Sequence, residues 1–192
     1  MRLLILGGSF NPIHIGHLIL AEEARCLLGY THVALVPAYK RPMKELQSDP
    51  GPEARLEMVR QAAEGDPNLI VWDGEIRRGG ASYTIDTIRE LGRSFELEEK
   101  PGLLLGDDLL TEFPRWRESD AIAREARLVC AHRDVDERVI FPYEHVYLDN
   151  LLIPISSQLI RDRAAAGLPF RRLVPEPVWR MIEKKGYYRN AG

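Results

Sequence analysis

The sequence predicts an open, mostly parallel α/β sheet with helices on both faces, folded as a single domain over residues 1–192. Three observations carry that expectation. Short, wholly apolar runs such as Leu3 to Leu6 and Leu103 to Leu105 are too uniform to be half-exposed and fit strands covered on both faces. Segments of helical period separate these runs, and strand, helix and strand in that order make a right-handed parallel unit. A chain of 192 residues with 45% hydrophobic content buries a full core without disulfide staples.

Composition narrows the partners. A net charge of −3 argues against nucleic acid as the main partner, because phosphate-backbone binding needs a concentrated basic face. The first apolar run is followed at once by Gly7 and Gly8, too soon for a secretory core, and no later stretch approaches a membrane span. A cytoplasmic location is expected. Cys26, on the first helix, and Cys130, in the run Leu128 to Ala131, read as small core fillers rather than a disulfide pair.

The chain is organised around Gly7-Gly8-Ser9-Phe10-Asn11-Pro12-Ile13-His14-Ile15-Gly16-His17, directly after the first strand. From His17 onward Leu20, Ala24, Leu27 and Leu28 recur at helical spacing, and Gly29 supplies a left-handed stop. The turn therefore delivers backbone N–H groups and a pair of imidazoles to the positive end of a helix, where an anion would sit. Without a Cβ, Gly7 and Gly8 let a phosphate approach the main chain and reach backbone angles closed to other residues. Zinc is the other reading of paired histidines. It is disfavoured because His32, His132 and His145 are scattered and the cysteines lie in apolar surroundings, so no metal site is expected. Neither a Walker-type phosphate loop nor a Gly-x-Gly-x-x-Gly fingerprint occurs.

His32 to Val36, ended by Pro37, is the second strand. Pro37 to Pro52 is a long loop carrying Lys40, Arg41 and Lys44, either a solvated basic loop or one that places Lys44 over a triphosphate. Glu53 to Ala63 is helical, and Leu69 to Trp72 is a third buried strand. Glu75 to Ala81 reads as a charged, flexible turn. In Ser82-Tyr83-Thr84-Ile85-Asp86-Thr87, Ser82 or Thr84 caps a helix bearing Ile85, Ile88 and Leu91, with Gly92 as its stop. Leu103 to Asp108 is the fourth strand and its turn, followed by Trp116, a half-buried packing residue or a stacking platform. Leu128 to His132 is the fifth strand, with Arg133 at the ligand edge, and Val146 to Leu148 is a short strand. Ile155-Ser156-Ser157-Gln158-Leu159-Ile160-Arg161 reads as extended chain, a serine cap and a helix, either an ordinary capped helix or a second phosphate cradle. Pro175 to Lys184 forms a closing helix stopped by Gly186, packed down by Tyr187 and Tyr188.

The turn, with its core His14-Ile15-Gly16-His17, resembles the (T/H)xGH nucleotidylyltransferase superfamily, whose fold is Rossmann-like. Later blocks narrow the resemblance to the bacterial nicotinate-nucleotide adenylyltransferases. Their Pro-Ala-x-x-Pro-Pro-His-Lys segment is met by Pro37, Ala38, Pro42 and Lys44, with Arg41 and Met43 departing from it. Their Ser-Tyr-Thr-x-Asp-Thr block is matched at every defined position from Ser82 to Thr87, and Gly-x-Asp followed by Trp is met by Gly106, Asp108 and Trp116. Of Ile-Ser-Ser-Thr-x-Ile-Arg, Ile155, Ser156, Ser157, Ile160 and Arg161 match, while Gln158 replaces Thr.

The resemblance implies adenylyl transfer from ATP to nicotinate mononucleotide, giving nicotinate adenine dinucleotide and pyrophosphate in NAD biosynthesis, with Mg2+ carried on the ATP. It implies a catalytic set of His14, His17, Lys44 and Arg161. ATP is expected against Gly7, Gly8, Ser9, Phe10, His17, Gly106, Asp108, Ile155, Ser156, Ser157 and Arg161. Nicotinate mononucleotide is expected against Ser9, Asn11, His14, Lys44, Tyr83, Thr84, Asp108 and Trp116, with backbone groups at Tyr83 and Thr84 meeting the pyridine carboxylate. With a reference pKa of ~6.5, either histidine is chargeable beside a triphosphate. Neither nucleic acid nor membrane is an expected partner, and assembly as a homo-oligomer is left open. The alternatives are a pantetheine-phosphate adenylyltransferase, which would lack the Ser82 to Thr87 block, and a non-catalytic nucleotide sensor.

Overall fold

The computed structural model describes residues 1–40, 48–132 and 141–189. Lys44 and Arg133 lie outside the described residues. Strands β1 (Leu3–Gly8), β2 (His32–Pro37), β3 (Leu69–Val71), β4 (Gly102–Gly106), β5 (Arg127–Ala131) and β6 (His145–Leu148) form one sheet in the order β3-β2-β1-β4-β5-β6. Every pairing between them is parallel. The chain therefore leaves β1 towards one edge and returns at β4 to build the other. The carboxyl ends of β1 and β4 flank the switch point, where open sheets of this order hold ligands.

Side-chain alternation along the strands sorts the core into layers. Leu4 and Leu6 of β1, with Val33 and Leu35 of β2, pack against helices α1 (Ile15–Leu28), α2 (Pro52–Ala63), α6 (Ser157–Ala165) and α7 (Glu176–Lys185). Leu3, Ile5, Ala34 and Val36 point the other way, onto α4 (Thr84–Ser94) and α5 (Ser119–Glu125). A short helix, α3 (Gly74–Arg78), precedes α4.

Several expectations change. The third strand is not buried: Leu69, Ile70 and Val71 are half-buried, because β3 is the edge of the sheet with a neighbour only at β2. The segment from Glu75 is not a flexible turn but α3, with Gly74 and Glu75 buried, and Gly79 caps its end. Gly92 does not stop α4, which continues to Ser94 and ends at Phe95. Neither Ser82 nor Thr84 caps α4. The N-cap is Tyr83, and the Ser82 hydroxyl instead accepts the Tyr39 amide at 3.0 Å. Cys26 is exposed rather than a core filler, whereas Cys130 is buried, and burial pushes its thiol up to about 12. The other terminators hold: Gly29 and Gly186 end α1 and α7 in the left-handed conformation.

Candidate active site

The turn after β1 is built by exclusion of space and by capping. Gly7 and Gly8 complete β1, and neither adopts a positive φ; that conformation falls on Phe10, at φ 47°. The need for glycine at position 8 is steric, since a Cβ there would meet the Phe10 ring at 3.2 Å. At Gly7 a Cβ would meet nothing, so this stretch of main chain is open, as an approaching phosphate requires. Phe10 is 2% exposed, with its ring edge against His17 at 5.1 Å between centroids. Its buried side chain therefore props the histidine.

His14 is the N-cap of α1, and His17 stands at the third helical position. Their rings stack at 3.6 Å between centroids, 29° from parallel. The His17 Nδ1 accepts the His14 amide at 3.3 Å in a capping-box arrangement, which leaves the hydrogen of the neutral ring on Nε2. Gly16 makes room for the stack: a Cβ there would lie 3.1 Å from His14 Nδ1.

The start of α6 comes to this same turn from far along the chain. The Ser157 hydroxyl donates to the Pro12 carbonyl at 2.9 Å, and Arg161 Nη1 donates to the Asn11 carbonyl at 2.7 Å. Ser156 caps the helix by accepting the Leu159 amide at 3.1 Å. Both serine hydroxyls thus serve the fold, Ser157 as a donor and Ser156 as an acceptor, and the Ser156 hydroxyl keeps its proton to donate. Gln158, in the position of the usual Thr, accepts from Arg161 Nη2 and donates to Asp162 at 2.6 Å, so it steers the guanidinium.

Asn11 is 2% exposed, and its side-chain oxygen accepts from Tyr188 at 2.8 Å. Burial pushes the Tyr188 phenol up, which keeps it a donor. Ser9 Oγ is screened from solvent and has no hydrogen-bond partner among the described residues. At β4, Gly106 ends the strand, Asp107 is buried and Asp108 is exposed.

Tyr83 and Thr84 stand at the start of α4. Both residues are half-buried. Arg117 places its guanidinium carbon 4.8 Å over the Tyr83 ring and approaches Asp86 at 3.8 Å. Trp116 is half-buried, tilted against Phe113 at 5.3 Å, and packs on the core. Behind α4, the buried Thr87 donates to Glu75 at 2.7 Å and accepts from Arg78 at 3.1 Å.

The structure therefore gathers His14, His17, Ser157 and Arg161 around one turn. The Tyr83 and Thr84 segment joins it through the chain after β2, where Lys40 bridges to Ala81 and the Ser82 amide donates to the Lys40 carbonyl at 3.0 Å. The supporting contacts of Arg55, of Glu75 with Thr87, and of Tyr188 with Asn11 were not expected from the sequence, although Thr87 belongs to the Ser82 to Thr87 block and Tyr188 was read as a packing residue. Arg55 carried a signal, because it shares the helical face of Met58 and Val59.

The comparisons with known proteins agree with this geometry. The cytidylyltransferase-like family model matches residues 5–163. A protein of Borrelia garinii subsp. bavariensis named probable nicotinate-nucleotide adenylyltransferase is 38% identical over 188 residues, 98% of this chain and 95% of that protein. One of the same name from Treponema pallidum is 34% identical, covering 99% of this chain and all of its own length. In fold, the chain matches the Plasmodium falciparum nicotinic acid mononucleotide adenylyltransferase solved with NaAD, at a TM-score of 0.76 and 19% identity over 97% of both chains. A kinship so continuous along the chain makes it a member of the cytidylyltransferase-like family, on the branch of the nicotinate-nucleotide adenylyltransferases.

Proposed function

We propose that residues 1–192 act as one nucleotidylyltransferase domain that joins ATP and nicotinate mononucleotide. The 5′-phosphate of the mononucleotide attacks the α-phosphorus of ATP. A new P–O bond forms, the bond to the bridging oxygen breaks, and pyrophosphate leaves with nicotinate adenine dinucleotide as the other product. The nucleophile is already ionised, so the protein supplies position and charge neutralisation rather than a covalent residue or a strong base.

The observation that carries this reading is the clamp of α6 on the histidine turn, with Arg161 on the Asn11 carbonyl and Ser157 on that of Pro12. It brings two helix N-termini, each favourable to anions, to one place. His14 and His17 donate to phosphate oxygens as charge builds in the transition state, and Arg161 opposes the repulsion between the reactants. Lys44 is assigned the same task from its motif alone. Ser9 Oγ suits a phosphate oxygen because no protein group among the described residues holds it. Tyr83 and Thr84 meet the pyridine carboxylate at the start of α4, Trp116 flanks the ring, and Gly106 and Asp108 take the ATP side.

Magnesium is expected to arrive on the triphosphate and to keep several waters, as this ion commonly does. When bound, it neutralises phosphate charge. A cytoplasmic location follows from the substrates. No helix among the described residues is long and apolar enough to cross a membrane. The net charge of −3 supports a small-molecule partner rather than nucleic acid.

The experiment is product identification after incubation with α-labelled ATP and nicotinate mononucleotide. Label in a dinucleotide, with stoichiometric pyrophosphate, is the expected result. ATP binding without transfer to any phosphate acceptor would instead identify a nucleotide sensor.

A further inference from the structure

Arg55, on α2, is 0% exposed, and it reaches Ser9, a position expected to meet substrate, through the main-chain carbonyl and not the side chain. Its fork makes four hydrogen bonds. Nη1 donates to the Ser9 carbonyl and to the Ala38 carbonyl, both at 2.7 Å, Nη2 to the Tyr39 carbonyl at 2.9 Å, and Nε to Asp49 Oδ1 at 2.9 Å. Three of these acceptors are main-chain oxygens on two working parts, Ser9 in the turn after β1 and Ala38 and Tyr39 at the exit of β2. The Tyr39 amide in turn donates to the Ser82 hydroxyl, one residue before the N-cap of α4.

A buried cation held by three carbonyls and one carboxylate needs its full set of partners, since a desolvated charge is costly when any is removed. The planar fork also fixes directions, which a flexible ammonium does not. We propose that Arg55 is a positioning residue that sets the phosphate turn and the pyridine-binding segment in register, through Ser9 on one side and Tyr39 and Ser82 on the other. This rests on the adenylyl-transfer reading above. A methionine or leucine could pack beside Met58 and Val59, but it would leave the carbonyls of Ser9, Ala38 and Tyr39 without this donor. What the guanidinium adds is simultaneous control of backbone at both halves of the crevice.

The test is steady-state kinetics of the full-length enzyme, with wild type, Arg55→Lys and Ser82→Ala assayed well below each melting midpoint. Wild-type formation of nicotinate adenine dinucleotide checks the underlying reading first; its absence would sink that reading and not this one. With wild type active, folded Arg55→Lys is expected to lose at least about tenfold in kcat while KM for ATP moves far less, and Ser82→Ala to lose several-fold in kcat/KM for nicotinate mononucleotide. The double variant should fall short of the product of the separate losses, because both act along one route. Arg55→Lys with wild-type kcat, or losses that multiply fully, would overturn the assignment. If Arg55→Lys does not fold, Ser82→Ala decides: kcat/KM within twofold of wild type overturns it.

Discussion

His17 is the residue whose geometry is most tightly specified. Its ring is stacked on His14 at 3.6 Å, edged by Phe10, and oriented by accepting the His14 amide through Nδ1. A preorganised donor of this kind acts on charge that develops in the transition state. Replacing His17 with Ala is therefore expected to lower kcat by roughly 10²-fold with a much smaller change in KM for ATP. Turnover close to wild type would remove His17 from the mechanism. The histidine pair was readable in the sequence because spacing and turn chemistry are local. The reason for Gly16 was not, since only the structure shows the His14 ring lying against it. Arg55 was passed over for a different reason. An arginine on an amphipathic helix ordinarily faces solvent, and here its position on the stripe of Met58 and Val59 outweighs that expectation.

Helix α6 matters through its first turn. Ser156 satisfies the Leu159 amide, and Ser157 and Arg161 fasten the same turn to the loop before α1. Loss of the cap in Ser156→Ala should cost about 1 kcal/mol, read as a fall of roughly 2–4 °C in Tm by calorimetry. Helices α4 and α5 are joined differently, by Arg89 pairing with Glu125 at 2.7 Å and with Glu118 at 2.9 Å. The hydrogen bond from Arg89 holds the Glu125 carboxyl below its ordinary value of 4.5. A carboxylate depressed by folding stabilises the native state above its unfolded pKa, and that contribution disappears as pH falls through the folded value. The stability difference between wild type and Arg89→Gln, measured by urea melts, should thus be largest near neutrality and shrink below about pH 4.5. A gap that stays constant into acid would contradict it. At this scale the sequence was read well where a helix has its own cap and period, as in α6 and α7. It was read poorly where tertiary packing decides. Gly92 lies within α4 because Leu91 is buried on the sheet and the helix continues past it, and α3 forms around the Glu75 and Thr87 contact.

For the whole molecule, the order β3-β2-β1-β4-β5-β6 brings the turn after β1 and the end of β4 to one crevice. Alternating strands and helices were sufficient to expect a parallel sheet, but strand order is set by long-range pairing. The half-buried state of β3 follows from its place at the edge, which its apolar composition conceals. The contact between Tyr188 and Asn11 joins residues 177 positions apart, a distance at which no local pattern signals contact. The central claim is that this crevice holds two phosphorylated reactants together and selects the one bearing a pyridine carboxylate. Pyrophosphate release from ATP, compared with nicotinate mononucleotide, nicotinamide mononucleotide and phosphopantetheine as acceptors, tests it most directly. The highest kcat/KM is expected with nicotinate mononucleotide, a lower value with the amide, and none with phosphopantetheine. Equal rates with acid and amide would contradict carboxylate recognition at Tyr83 and Thr84, and release driven by phosphopantetheine alone would contradict the account as a whole.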